Sequence, residues 1–180
     1  MQLKTSSKKN KKPMLENFEP QKAESNFQIS VTESARKDLS ERLGLLLADT
    51  YALYLKTQNF HWNVKGARFM SLHQLFETQY LELAAAVDLI AERIRALGYL
   101  ASATFSDFLK MSALEEGNGK IPAAEMIRKL MNDHQQIAKT ISSFIPKAET
   151  AEDQATMDLF GARIAAHEKA AWMLRSLFED

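Results

Sequence analysis

The 180-residue chain contains no cysteine. Disulfides and thiolate metal sites are therefore excluded, and any bound metal must be held by nitrogen and oxygen ligands. Glycine and proline are scarce, with six and four residues, and no proline occurs between Pro20 and Pro122. Because proline breaks helices, a proline-free stretch of this length favours long helices.

Long apolar runs are also missing. No stretch reaches the about 18 apolar residues that a membrane-spanning helix needs. The N-terminus, MQLKTSSKKNKKPM, lacks the apolar core of a secretory signal. We therefore expect a cytoplasmic protein that makes no contact with membranes. Its formal net charge is zero, so the overall charge gives no argument for nucleic-acid binding.

The positive charge is nevertheless unevenly distributed. Residues 1–28 are polar and lack periodicity, and we interpret them as a flexible tail preceding one domain at residues 29–180. Two interpretations of this tail stay open. It is either a solvated disordered segment or an arm that binds DNA phosphates without sequence preference and in a salt-sensitive manner, which would make the protein nucleoid-associated. Five lysines precede the first acidic residue, Glu16: Lys4, Lys8, Lys9, Lys11 and Lys12.

Apolar residues recur at three- and four-residue spacing in four later segments, which predicts amphipathic helices. Ser71 is a fitting N-cap for the second helix, Gly66 and Gly98 are fitting helix ends, and Pro122 and Pro146 mark the two ends of the third helix. With a long connector at about 99–120, this pattern predicts an all-α, ferritin-like four-helix bundle with a helix 2–helix 3 crossover. The predicted helices span about 32–62, 71–98, 122–145 and 152 to near the C-terminus.

Four potential metal ligands lie on one face of the second helix. His73 and Glu77 are four residues apart, and so are Asp88 and Glu92. Eleven residues separate Glu77 from Asp88, which at about 100° per residue leaves a rotation of only about 20°. Imidazole and carboxylate ligands suit Fe(II), with Mn and Zn as competitors. Either pair alone would more simply be a solvated surface pair, but their combination on one stripe indicates a metal site.

The rise of the helix separates these two pairs. Their midpoints are 15 residues apart, or roughly 22 Å at about 1.5 Å per residue, whereas a metal–ligand bond is about 2 Å long. A two-fold dimer with antiparallel copies of this helix would place His73 and Glu77 of one chain against Asp88 and Glu92 of the other. Two equal sites would then form per dimer.

The position of His61 remains open at this stage. A simple hairpin of the first two helices places His61 nearest His73, yet the sequence does not decide which pair His61 joins. The chain contains no Glu-x-x-His motif, which disfavours a di-iron site within one chain. His134 lies on the third predicted helix, where no acidic residue is in periodic register with the stripe. We interpret His167 as a histidine satisfied inside the bundle.

Two segments resemble hallmarks of the Dps family, the DNA-binding miniferritins of starved cells. The first is H-W-N-V-K-G-x5-L-H-x3-E, from His61 to Glu77. The second is V-D-L-I-A-E-R-I-R-A-L-G, from Val87 to Gly98. The segment H-E-K-A-A-W-M-L-R, at residues 167–175, is similar to the family's last helix. The resemblance covers the chain from about residue 30 to its end.

This resemblance implies a hollow homododecamer with ferroxidase sites at two-fold interfaces. Asp88 and Glu92 would be iron ligands from one subunit, and the histidines would come from the other subunit. The complete implied ligand set is His61, His73 and Glu77 with Asp88 and Glu92 of the partner subunit. Many members have aspartate where this chain has Glu77, so the second metal position is expected to differ in affinity.

The resemblance also implies roles outside the ligand set. Trp62 matches a tryptophan beside the site that is thought to take up oxidising equivalents, although it is equally suited to hairpin packing. Family members admit iron through acidic three-fold pores, to which Glu152, Asp153 and Asp158 could contribute. These acids would also favour the start of the fourth helix through its dipole.

We therefore expect an iron-storing ferroxidase that oxidises Fe(II) with hydrogen peroxide, keeps Fe(III) as mineral inside the shell, and so protects DNA. The alternative is an architectural protein that compacts the nucleoid through its lysine-rich tails. A bundle without metal, which would take up no iron, is the third possibility.

Overall fold

Four long helices and one short helix make up the computed structural model, which describes residues 18–23 and 29–178. The helices are α1 (Glu33–Asn63), α2 (Phe69–Ala96), α3 (Phe105–Met111), α4 (Ala123–Thr150) and α5 (Gln154–Arg175). Helices α1 and α2 form one antiparallel hairpin, and α4 and α5 form the other. The connector between α2 and α4 carries the short helix α3.

A single apolar core fills the space between the four long helices. Helices α2, α4 and α5 contribute residues at three- and four-residue spacing, as their amphipathic patterns predict, whereas α1 is buried at every position from Leu43 to Thr50. Phe60, Phe76 and Phe160 are completely buried near the centre of this core. Each such ring stabilises the fold by roughly 1.5–3 kcal/mol relative to an exposed ring. The four long helices and the long connector between α2 and α4 confirm the predicted four-helix bundle with its crossover. None of the helices in the described ranges could cross a membrane.

Buried ion pairs connect the two hairpins and set their register. Lys56 of α1 donates to Asp133 of α4 at 2.6 Å, and both side chains are largely buried. At the other end of the bundle, Arg93 of α2 binds Asp153, the N-cap of α5, at 2.7 Å. Because a buried charge without a partner is costly, a sliding of either hairpin that broke these pairs would be strongly unfavourable.

Helix ends follow the predictions at most positions. Thr32 caps α1, and Gly66 and Gly98 adopt the positive φ angles that favour glycine after a helix. The prediction that Ser71 is the N-cap of the second helix is wrong, because α2 begins at Phe69. The side chain of Ser71 lies inside the first turn and donates back to the carbonyl of Arg68.

The predicted end of the third long helix before Pro146 is wrong. Helix α4 continues through Pro146 to Thr150. Proline removes one helical hydrogen bond and costs about 3 kcal/mol inside a helix. Phe144 and Ala148 lie buried on either side of it, and the hydroxyl of Thr150 donates to the carbonyl of Pro146. We infer that burial of this last turn against the bundle outweighs the cost of the proline.

Residues 18–23 of the predicted tail lie against the bundle. Ala23 donates to the carbonyl of Gly98, and Leu100 donates to the carbonyl of Gln21. The ring of Phe18 covers Gly44 so closely that a Cβ atom there would lie 2.6 Å from the ring. The chain is therefore in contact with the bundle from residue 18 onwards in the first described segment. The domain boundary at residue 28 stays a prediction.

Two buried histidines form a hydrogen-bonded pair between α4 and α5. The Nδ1 atoms of His134 and His167 are 2.9 Å apart, and Arg163 donates towards Nε2 of His167 at 3.4 Å. Since Nε2 of His167 accepts, its Nδ1 carries the proton and donates to His134. Both rings are therefore neutral, and His167 is the core histidine that its sequence position predicted.

Protonation of this pair would place N–H groups against N–H groups inside the bundle. Burial, together with the smaller effect of the nearby guanidinium of Arg163, lowers the pKa of His134 to about 3. Burial, His134 and Arg163 also lower the pKa of His167. Glu82 faces the pair from α2, where it binds Arg163.

We expect acid to destabilise the bundle through these two histidines. Their unfolded pKa is about 6.5 and their folded pKa is lower, so the unfolded chain binds more protons below about pH 6.5. Stability should be complete above that pH and should fall by about 1.4 kcal/mol per pH unit and per histidine as the pH is lowered towards the folded pKa. Thermal unfolding midpoints of the parent and of the His134→Gln/His167→Gln variant, measured between about pH 6.5 and about pH 4.5, test this. An equal acid dependence in both proteins would contradict it.

Candidate metal centre

The end of α1 and the first turns of α2 bring two histidines together. The rings of His61 and His73 stack with their centroids 3.7 Å apart and their planes inclined by 17°. The loop at residues 64–68 reverses the chain, and Gly66 supplies its positive φ angle. His61 therefore lies beside His73 of its own chain, the nearer of the two alternatives that the sequence left open.

Reciprocal hydrogen bonds orient the two rings. Nδ1 of His61 donates to the backbone carbonyl of His73 at 2.8 Å, and Nδ1 of His73 donates to the carbonyl of His61 at 2.9 Å. Because a carbonyl oxygen only accepts, both Nδ1 atoms carry the proton when the rings are neutral. Both Nε2 atoms then keep a lone pair, which is the form of histidine that binds a metal.

Aromatic side chains enclose this histidine pair. Phe69 stacks on the ring of His73 at 5.1 Å, and the ring of Tyr80 meets that of His61 edge-on at 5.2 Å. His61 is only 6% exposed. Trp62, the next residue along α1, is instead 64% exposed, because adjacent helical residues point about 100° apart.

The three carboxylates lie on the outward face of α2. Glu77 is half-buried one turn after His73, whereas Asp88 and Glu92 are exposed three to four turns further on. The rise of the helix keeps the His73/Glu77 pair roughly 22 Å from the Asp88/Glu92 pair. Within residues 18–23 and 29–178, no three histidine, aspartate or glutamate side chains approach closely enough to hold one ion.

Exposed apolar residues lie on and beside the same face of α2. Leu81 and Leu89, which lie between and beside the carboxylates, are 57% and 55% exposed. Phe105 and Leu109 of α3 are exposed as well. Apolar residues that alternate with potential ligands on one exposed face are typical of a surface that another chain covers.

The acidic residues considered for a pore have different surroundings. Asp153 is 3% exposed and binds Arg93 and Thr156. Although burial raises the pKa of Asp153, these hydrogen bonds outweigh it and lower the pKa overall. Asp153 therefore caps α5, as its helix-dipole interpretation suggested. Glu152 and Asp158 stay candidates for a pore.

Two residues near the histidines were missed in the sequence. Phe69 is four residues before His73 and Tyr80 is seven after it, so both share its helical face. That spacing could have identified them, but aromatic residues at helical spacing are far more often part of a core. The five lysines proposed to bind DNA precede residue 18 and lie outside the described residues.

Comparison with known proteins assigns the chain to a family. A model of the ferritin-like domain matches residues 40–180. A low-temperature-induced protein of Nostoc is 37% identical over 84% of this chain and 86% of its own length. The DNA protection during starvation protein 2 of Bacillus anthracis is 36% identical over 80% of this chain and 99% of its own.

Solved structures agree with these relatives. The Dps protein of Bacillus brevis has a TM-score of 0.79 and 34% identity, covering 81% of this chain and 98% of that structure. The Dps protein of Vibrio cholerae, described as a member of a broad superfamily of ferritin-like diiron-carboxylate proteins, has a TM-score of 0.80 and 26% identity over 86% of this chain and 100% of its own. The matching fold, the matching sequences and the paired histidines lead to one conclusion: this chain belongs to the Dps family of ferritin-like proteins.

Proposed function

We propose that the protein is an iron-sequestering ferroxidase of the cytoplasm. It oxidises Fe(II), preferentially with hydrogen peroxide, and stores the Fe(III) mineral inside a dodecameric shell, which protects DNA from oxidative damage. Relatives named DNA protection during starvation proteins support this role, and so does the diiron-carboxylate superfamily of the Vibrio cholerae structure.

The observation that carries the proposal is the reciprocal pairing of His61 and His73. Their backbone hydrogen bonds leave both Nε2 atoms free, and Glu77 follows His73 by one helical turn. The Asp88/Glu92 pair lies roughly 22 Å further along α2 than the His73/Glu77 pair. An isologous contact between two α2 helices would complete this half-site. The missing ligands would be Asp88 and Glu92 of the partner subunit.

Mixed imidazole and carboxylate ligands suit the proposed reaction. Neutral imidazoles bind Fe(II), and anionic oxygen ligands favour Fe(III) over Fe(II), so they promote the loss of an electron. Two Fe(II) ions supply the two electrons that convert hydrogen peroxide and two protons into two water molecules. A site that holds two irons thus avoids the release of hydroxyl radical.

Glu77 reaches further than aspartate, so we expect it to alter the affinity of the second iron position.

A second candidate function is DNA binding by the lysine-rich N-terminus. Twelve arms on one shell would add weak phosphate contacts together through multivalency. Bound DNA would then be compacted without sequence preference.

Removal of either half of the site should abolish fast iron oxidation. We expect His61→Ala/His73→Ala and Asp88→Ala/Glu92→Ala assemblies to lose most of the peroxide-dependent oxidation of Fe(II), measured by stopped-flow absorbance. The decisive measurement is co-assembly of the two variants in equal amounts. Each mixed dimer keeps one intact site and one doubly damaged site, so about a quarter of the parent sites should return.

A site contained within one chain would give a different result in that mixture. No activity would return, because every chain would carry a damaged site. Glu168→Ala, on the exposed surface of α5, serves as the control and should oxidise iron at the parent rate.

The size of the assembly tests the shell directly. Twelve chains of 20.4 kDa sum to about 245 kDa, and light scattering coupled to gel filtration should give that mass. Leu81→Lys/Leu89→Lys should disrupt the proposed interface and reduce the mass, because it places charge on the apolar face of α2. A parent mass near that of one chain would exclude the shell.

Deletion of residues 1–12 separates storage from DNA binding. The truncated protein should oxidise iron as the parent does, whereas gel shifts of duplex DNA should weaken severalfold and the parent's binding should fall steeply with salt. Replacement of the five lysines by glutamine is the matched control for the loss of length. Unchanged, salt-insensitive binding by the truncated protein would exclude the tail as the DNA-binding element.

A further inference from the structure

A row of aromatic rings leads away from the histidine pair along α1 and α2. The ring of Tyr80 touches His61, Tyr54 lies 6.1 Å from Tyr80, and Tyr51 lies 5.7 Å from Tyr54. All three contacts are edge-to-face, with interplanar angles of 68–73°. We call Tyr80, Tyr54 and Tyr51 the tyrosine ladder. It contains three of the four tyrosines of the chain.

Helical spacing produces the ladder. Tyr51, Tyr54 and His61 share one stripe of α1 at offsets of three and seven residues, and Tyr80 lies on the facing stripe of α2. All three tyrosines are partly buried in this seam. The ladder ends where Tyr51 stacks on Phe108 at 4.7 Å, beside a groove of about 610 Å³ between α1 and α3.

A phenol is chemically suited to give up an electron, and electron transfer is fastest between groups in contact. Tyr80 is the redox-active side chain in ring contact with the half-site. Among the described residues, the two histidines make ring contacts with each other, with Tyr80 and with Phe69, but not with Trp62, the residue that the family resemblance suggested for this purpose. The geometry therefore favours Tyr80 over Trp62 as the first donor in this chain.

Building on the ferroxidase function proposed above, we propose that the tyrosine ladder supplies the second electron when peroxide meets a site that holds only one Fe(II). The iron gives one electron and becomes Fe(III). Tyr80 gives one electron and its phenolic proton and becomes a neutral phenoxyl radical. With one further proton from solvent, hydrogen peroxide is converted into two water molecules, so no hydroxyl radical leaves the site.

The ladder then moves the oxidised position away from the iron. Tyr54 returns an electron and a proton to Tyr80, and Tyr51 does the same for Tyr54. Gln58 donates to the phenolic oxygen of Tyr54 at 3.1 Å and so holds the middle ring in place. Beside the groove, a soluble one-electron reductant such as ascorbate returns an electron and a proton to Tyr51.

Radical formation at low iron loading tests the ladder. The assembled parent, Tyr80→Phe and Tyr54→Phe are loaded with one Fe(II) per chain, mixed with hydrogen peroxide and freeze-quenched for electron paramagnetic resonance. Iron oxidation is recorded in parallel, so that radical is expressed per iron oxidised. Tyr99→Phe is the matched control, because Tyr99 lies beyond the far end of α2, paired with Lys22.

The parent and Tyr99→Phe should give the same tyrosyl radical yield. Tyr80→Phe should lose most of this signal and release severalfold more hydroxyl radical to a spin trap. In Tyr54→Phe the radical should remain on Tyr80, where mass spectrometry of a nitroso-trap adduct would locate it, whereas the parent should carry the adduct on Tyr51.

Two failures are distinguishable in this experiment. If the parent oxidises iron but Tyr80→Phe keeps the radical yield of Tyr99→Phe, the ladder is overturned and the ferroxidase function stands. If Trp62→Phe, rather than Tyr80→Phe, removes the radical, the ladder is likewise overturned. A parent that oxidises no iron with peroxide would overturn the proposed function itself.

Discussion

Helix α2 holds potential iron ligands on one face but at two levels, and its rise keeps those levels roughly 22 Å apart. A helix cannot bend enough to remove such a distance without breaking its hydrogen bonds. His73 and Glu77 therefore cannot share an ion with Asp88 and Glu92 of the same chain. In the proposed site, the second pair of ligands would therefore come from another copy, which links the proposed chemistry to assembly.

Hydrogen bonds and neighbouring rings restrict the orientation of His61 and His73. Each ring of the pair donates to the backbone of the residue that carries the other ring, so the α1–α2 loop and the two side chains define one another. Phe69 and Tyr80 then restrict the remaining rotation of the rings. Ligands that are ordered before metal arrives lose less entropy on binding.

Buried ion pairs hold the two hairpins in one register. Lys56–Asp133 joins α1 to α4, and Arg93–Asp153 joins α2 to α5, at opposite ends of the bundle. A displacement of one helical turn would leave these charges buried without partners, at a cost of several kcal/mol. Such pairs add little to stability compared with apolar residues, but they select one register.

Local patterns in the sequence predicted the elements well and the contacts between them less well. Thr32, Gly66 and Gly98 act through their own backbone and side-chain chemistry, so their roles could be read from the sequence. Pro146 misled the prediction because the packing of α4, which outweighs the cost of a proline, involves residues far away in the chain. Periodicity put four of the five proposed ligands on one stripe of α2. The side that His61 joins was left open, because its reciprocal hydrogen bonds with His73 depend on the geometry of the loop.

Assembly and iron binding are expected to reinforce one another because of where the charges lie. Asp88 and Glu92 are exposed in the single chain, beside Leu81 and Leu89. Covering the leucines with another chain would bury apolar area but would also bring four carboxylates per dimer into the interface, where unpaired charge is costly. Iron at the completed sites would neutralise that charge, so it would bind the dimer more tightly than the separate chains. By linkage, iron must then stabilise the dimer by the same free energy.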